Sequence, residues 1–315
     1  MKYALLFPGQ GSQAVGMLAA HDAPVIAQTF AEASSVLGWD LAQLVRSGPE
    51  EELNQTSRTQ PALLAAGIAM WRLWQEGKPS APAALAGHSL GEYTALVAAG
   101  ALDFADALRL VELRGQLMQA AVPSGTGGMA AVIGLDDEKV GELCKKYPGS
   151  DVLEPVNYNA PGQVVVAGQT AALDWLAANG KAHGARMVMR LPVSVPSHCS
   201  LMRGAADRLG EKLAAVTIHK PAIPVLHNLD ATARREPDAI RTALKEQLYR
   251  PVLWTQTITG LAQSGIGIFL ESGPGKVLTG LTKRIADKQA RYVSLEDPAA
   301  LQQAMIWVEG QGSAE

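Results

Sequence analysis

Two cysteines, Cys144 and Cys199, are all that the 315 residues offer, which excludes a disulfide framework and a structural zinc cluster. A basic excess is missing too. The formal net charge of −3 denies the broad positive surface that general nucleic-acid binding needs. No uninterrupted apolar stretch is long enough to cross a bilayer, and Tyr3-Ala4-Leu5-Leu6-Phe7 is too short for the core of a secretory signal. Nor does a Gly-Lys-Ser or Gly-Lys-Thr pair offer a nucleotide-triphosphate loop. What is present is ordinary for a globular enzyme, 48% hydrophobic and 18% charged, and long enough to bury a substantial core. These features lead us to expect a protein of the reducing cytoplasm, with no membrane or nucleic-acid partner.

Gly87-His88-Ser89-Leu90-Gly91 carries the first chemistry. It fits the Gly-x-Ser-x-Gly elbow, in which a serine sits on a strained strand-to-helix turn. Pro82 to Ala86 supplies a short buried strand and Leu90 to Ala99 the helix. Glycines on both sides remove the Cβ atoms that so tight a bend would crowd. The serine oxygen then stands at a helix N-terminus, where free N–H groups favour developing negative charge.

Around the elbow, strands and helices alternate, which implies βαβ units and a parallel sheet. Tyr3 to Phe7 reads as a buried strand, Pro24 to Leu37 and Pro61 to Gln75 as helices, and Asp103 to Ala121 as a long helix. From Met129 to Val193 the order becomes β-α-β-β-α-β, with Asn159-Ala160-Pro161-Gly162 turning between the middle strands. The later chain resumes the alternation, with strands at Ile223 to Leu229, Ile266 to Leu270 and Tyr292 to Leu295. The expected fold is α/β: a larger α/β-hydrolase-like domain with a mostly parallel sheet, over residues 1–124 and 195–308. A small ferredoxin-like βαββαβ subdomain, 125–194, is inserted in it, and 309–315 form a disordered tail.

A serine nucleophile needs a base. Of the six histidines, His198 leads, because it lies where the chain crosses from the small subdomain to the large one, beside an expected cleft. His88 adjoins Ser89 in sequence, so its side chain diverges, and Cys199 reads as structural. Lipase-like enzymes place an acid between serine and histidine in chain order. Here Asp103, Asp106, Asp136, Asp137, Asp151 and Asp174 all read better as helix caps or solvated positions, so the third member is expected to be a carbonyl or an amide. Pro8-Gly9-Gln10-Gly11-Ser12-Gln13-Ala14 resembles a dinucleotide fingerprint, but Pro24 to Ser34 reads as helix where that motif needs an acid-ended strand. A strand-end loop whose N–H near Gln10 completes an oxyanion hole suits it better. Arg114 shares a helical row with Leu110 and Met118, so it either snorkels to the surface or is buried against a carboxylate, with open space left beside Gly115.

Phe7-Pro8-Gly9-Gln10-Gly11-Ser12-Gln13, Thr59-Gln60-Pro61-Ala62, Gly87 to Tyr93, Pro196-Ser197-His198-Cys199 and Gly273-Pro274-Gly275-Lys276 together resemble malonyl-CoA:acyl carrier protein transacylases. The resemblance spans nearly the whole chain, in order. It implies that Ser89 takes the malonyl group from malonyl-CoA and passes it to the phosphopantetheine thiol of acyl carrier protein, with no cofactor. His198 would be the base, held by the main-chain carbonyl of Gln247. The N–H groups of Gln10 and Leu90 would form the oxyanion hole, Arg114 would pair with the malonyl carboxylate, and Gln60 would be a further pocket residue. Two other readings share the elbow: the malonyl transferase subunit of malonate decarboxylase, and a serine esterase of α/β-hydrolase type.

Overall fold

The computed structural model describes residues 1–193 and 195–310. It is a mixed α/β protein with one parallel and one separate antiparallel sheet. Five strands form the parallel sheet: β1 Lys2–Phe7, β2 Ala84–Gly87, β7 Val225–Leu226, β8 Ile266–Glu271 and β9 Arg291–Ser294, in the order β7-β2-β1-β8-β9. In β1 successive side chains serve opposite faces, as the twofold strand period requires. Tyr3, Leu5 and Phe7 join the core that includes Leu64, Ile68 and Leu108, while Ala4 and Leu6 join a second core with Trp254 and Ile258. Helices cover both faces, so β1 is apolar throughout its buried length. Register pairs Phe7 with Gly87 and Leu6 with Glu271, so the loops after β1, β2 and β8 open at one edge of the sheet. Parallel α/β sheets bind ligands at that edge.

The antiparallel sheet holds β3 Gly127–Ile133, β4 Leu153–Ala160, β5 Gln163–Gln169 and β6 Met187–Arg190, in the order β4-β5-β3-β6. Helices Asp137–Lys145 and Thr170–Asn179 pack their apolar stripes on one face of it, making a core of its own from Val132, Val164, Val166, Val140 and Leu173. Between β4 and β5 the turn passes through Gly162 at φ +71°. The other sheet edge, β4, is tied to the larger part: Val252 N–H donates to the Val156 carbonyl at 2.8 Å, and Tyr158 N–H to the Val252 carbonyl at 3.0 Å.

Several elements differ from the sequence reading. The second long helix runs Thr56–Glu76, so Pro61 lies inside it and not at its start. The space beside Gly115 is not open: a Cβ there would come within 2.6 Å of the Thr56 carbonyl oxygen, so the glycine admits the start of that helix. β7 has only two residues, because the chain turns away at His227 and Asn228 to bond elsewhere. Helices Leu41–Ser47, Glu50–Leu53 and Pro298–Glu309 were not anticipated. The last begins at Asp297, whose carboxylate accepts from Ala299 N–H at 2.8 Å with Pro298 at the first position, and it carries Glu309, which the reading had given to the tail. Residues 311–315 of that tail lie outside the described residues. Among the described residues no helix is long and apolar enough to cross a membrane.

Candidate active site

β2 ends at Gly87, and the chain turns at once into the helix Gly91–Ala98 with Ser89 at φ +52°. Both glycines are required by space. A Cβ on Gly87 would lie 1.9 Å from the Gly91 carbonyl carbon, and one on Gly91 would lie 2.0 Å from the Phe7 carbonyl oxygen. The close approach of Gly91 to the end of β1 brings the Gln10 loop beside the elbow. A serine in the left-handed region costs about 1–3 kcal/mol and persists only where its surroundings over-determine it. Asn228 helps to do so, accepting from Ser89 N–H at 2.7 Å and donating to the Gly87 carbonyl at 2.7 Å.

Ser89 Oγ lies 2.7 Å from His198 Nε2, and His198 Nδ1 lies 2.7 Å from the Gln247 carbonyl oxygen. A carbonyl only accepts, so Nδ1 carries the proton and the Nε2 lone pair faces the serine. His198 is also in the left-handed region, φ +64°, at the crossing between the two sheets. Burial, with the Arg114 cation adding to it, holds the imidazole pKa down to about 3 against the pull of the Gln247 carbonyl. The ring is therefore a neutral base at pH 7. Among the described residues no carboxylate joins the pair. Asp136 bonds Lys139, Asp151 bonds Tyr147 and Asp174 faces Arg190, all on the smaller part of the molecule.

Ser89 and His198 open into a cavity of about 120 Å³, also lined by Gln10, Leu90, Arg114 and Met118. Pockets for drug-sized ligands measure roughly 300–1,000 Å³, so this one suits a short acyl group. Among the described residues the N–H groups of Gln10 and Leu90 have no acceptor. They are free to meet an oxyanion.

Arg114 does not snorkel; it is 1% exposed. Nor, among the described residues, is it paired with a carboxylate. Nη1 donates to Gln60 Oε1 at 2.8 Å, and Nη2 to Gln247 Oε1 at 2.9 Å and to Ser89 Oγ at 3.1 Å. Gln60 is not among the residues lining the cavity; its Oε1 accepts from the guanidinium, and its Nε2 faces the Sδ of the lining residue Met118 at 3.6 Å. His88 points away from the serine, to Asn159 Oδ1 at 2.8 Å. Sequence reasoning gave no role to Glu92, His227 and Asn228, whose side chains are buried behind the turn. The available signal was Glu92 itself, the one charged residue of the Gly91–Ala98 helix, in its first turn. Among the described residues no cluster of His, Cys, Asp or Glu could hold a metal ion.

A hydroxyl made nucleophilic by a neutral imidazole, with amides waiting for the oxygen of an attacked carbonyl, is the equipment of serine acyl-transfer enzymes. Comparison with known proteins narrows the class. The chain belongs to the acyl transferase domain family, which it matches over residues 4–296. It is 54% identical over 306 residues to the malonyl CoA-acyl carrier protein transacylase of Escherichia coli O157:H7, covering 96% of this chain and 99% of that one. The crystal structure of an acyl carrier protein S-malonyltransferase from Vibrio cholerae superposes with a TM-score of 0.93 at 54% identity, covering 96% of this chain and all of that one. A chain from the complex of a type II PKS acyl-carrier protein with its malonyl-transacylase gives 0.95 at 52% identity, covering 98% and 100%.

Proposed function

We propose that this chain transfers the malonyl group from malonyl-CoA to the phosphopantetheine thiol of acyl carrier protein, through a malonyl-serine intermediate. The observation that carries the reading is the buried Arg114 guanidinium, 3.1 Å from Ser89 Oγ. A planar fork beside the nucleophile suits an acyl group that ends in a carboxylate. Ser89 Oγ attacks the thioester carbonyl while His198 Nε2 takes its proton. The carbonyl oxygen gathers charge between the N–H groups of Gln10 and Leu90. Collapse expels the CoA sulfur, which receives the proton from His198. The carrier thiol then enters, His198 takes its proton, and the same steps run in reverse to release Ser89. The Gln247 carbonyl keeps the imidazole in register throughout. The names of the relatives support this carrier over that of a malonate decarboxylase, and the lack of an acid on His198 Nδ1 weighs against an esterase triad.

We read the fold in finer terms as an α/β-hydrolase-like domain, 1–124 and 195–308, with a ferredoxin-like subdomain inserted at 125–194; the strand order β4-β5-β3-β6 supports the latter. A cytoplasmic site of action fits a chain with two cysteines, both free and buried.

The reaction is tested by intact mass after mixing with malonyl-, acetyl- or methylmalonyl-CoA. One malonyl group should appear and then leave on addition of phosphopantetheinylated carrier protein. An adduct that only water discharges would sink the transfer reading.

Two further results are expected. His198→Ala slows serine acylation by on the order of 10² to 10⁴, the usual worth of a positioned acid–base group. Asn at Asp136, Asp137, Asp151 or Asp174 changes it little; a large loss from any of these would restore an acid-containing triad. The second result concerns pH. Because the His198 pKa is depressed, the free enzyme keeps its base unprotonated as pH falls through 6.5, and kcat/KM for malonyl-CoA holds until well below that value. In Arg114→Ala the opposing cation is gone, so the acid limb moves up toward 6.5. A wild-type limb already at 6.5 in kcat/KM profiles would contradict a buried, cation-shifted base.

A further inference from the structure

Behind the serine turn lies a polar cluster that the reaction as derived does not use. Glu92 stands three residues after Ser89, in the first turn of the Gly91–Ala98 helix, and is fully buried, as is His227. An acid in that position commonly caps its own helix or stays in water. This one turns inward. Its Oε1 meets His227 Nδ1 at 2.7 Å, and its Oε2 accepts from Asn228 N–H at 2.8 Å and from Gln247 Nε2 at 2.9 Å.

The Glu92 carboxylate oxygen accepts, and the Asn228 main chain and the Gln247 side chain turn N–H groups to it. That contact sets the Gln247 amide. Its Nε2 faces Glu92 and the Ser89 carbonyl, the latter at 3.0 Å, which leaves Oε1 for Arg114 Nη2. Turned over, the amide would set N–H against the guanidinium and oxygen against the carboxylate. The other arm runs through Asn228, anchored by its main chain to Glu92 and by its side chain to Ser89 N–H and the Gly87 carbonyl. Among the described residues Arg114 touches no carboxylate directly; its guanidinium lies over the Tyr93 ring, 5.5 Å from the centroid, and Glu92 stands one amide away.

We propose that Glu92 is a positioning residue for acyl transfer, holding Arg114 through Gln247 and the Ser89 turn through Asn228, so that the fork receiving the acyl carboxylate is fixed before substrate arrives. The inference rests on the malonyl-transfer reading above. Its physical content is preorganisation: a guanidinium already oriented loses less freedom when it grips its ligand.

Glu92→Gln keeps the shape and removes the charge. The expected loss in kcat/KM for malonyl-CoA is on the order of 10²-fold, the scale for reacting groups displaced by about an ångström. The ratio of kcat/KM for malonyl-CoA to that for acetyl-CoA should fall roughly tenfold or more, within the coupling seen between residues of one network. In the Arg114→Ala background the same change should leave the ratio where it was, because the group it acts on is gone. A merely structural Glu92 would depress both substrates alike and cost the same melting temperature in both backgrounds. That result overturns the proposal, as does wild-type activity in Glu92→Gln. If Glu92→Gln does not fold, a folded Glu92→Gln/Arg114→Ala double variant supports the coupling, and failure of both to fold refutes it. Wild-type protein that takes up no malonyl group removes the underlying reading instead.

Discussion

Ser89→Ala takes up no malonyl group from malonyl-CoA, and its turnover falls on the order of 10⁶-fold, as when the nucleophile of a serine enzyme is removed. Among the described residues only Ser89 combines a hydroxyl at the cavity with a neutral imidazole at 2.7 Å. The competing nucleophile by position is Cys199, next to His198. Its thiol is buried, donates to the Pro196 carbonyl at 3.1 Å, and has its pKa pushed up to about 12, chiefly by burial. A thiol in that state holds almost no thiolate at neutral pH. Intact mass and peptide mapping of both proteins check this, and a stable adduct on the alanine variant or on Cys199 would move the chemistry off the elbow.

Arg114→Ala is expected to separate the substrates. Removing one partner of a buried charge pair costs about 3–5 kcal/mol, which is roughly two hundred to several thousand in rate. Malonyl transfer should fall by that factor. Acetyl transfer falls much less, yet not to zero effect, because the guanidinium also bonds Ser89 Oγ and the Oε1 atoms of Gln60 and Gln247. Leaving two buried oxygens without donors costs about 1–3 kcal/mol each at most, a loss of folding stability that is present with either substrate and cancels in their ratio. Lysine at 114 cannot restore the fork, since one ammonium offers no pair of parallel N–H groups. The ratio of kcat/KM values for malonyl-CoA and acetyl-CoA in wild type and variant is the measurement. If both substrates fall by one factor, the carboxylate is read elsewhere.

How much of this could be read in advance depended on whether geometry leaves a mark on residue type. The elbow did, because two glycines without which backbone atoms would collide bracket the serine in a fixed five-residue frame. The alternation of strands and helices did as well, through apolar runs such as Tyr3 to Phe7. Arg114 left two meanings open, since an arginine in an apolar row looks the same whether it reaches water or a pocket. Gly115 misled, because an absent side chain signals close approach without naming what approaches; here it is the backbone of Thr56 and Ser57. The Gln247 carbonyl has no signature at all, as every residue carries one. Glu92 had a signal that pointed the wrong way, because first-turn acids are so often exposed. Helix Pro298–Glu309 was marked by Asp297-Pro298, a capping pair that was legible and passed over.

That main-chain carbonyl also has a consequence for heredity. An enzyme whose histidine leans on an aspartate can lose that support through one altered codon. Here the acceptor on His198 Nδ1 belongs to the peptide unit of Gln247, and no exchange of side chain deletes it. Substitutions at 247 will expose the loss of the amide's grip on Arg114, while the histidine keeps its acceptor. The orientation of the base is thereby written into the path of the chain, and only changes that reroute the segment after the helix Pro237–Glu246 can erase it.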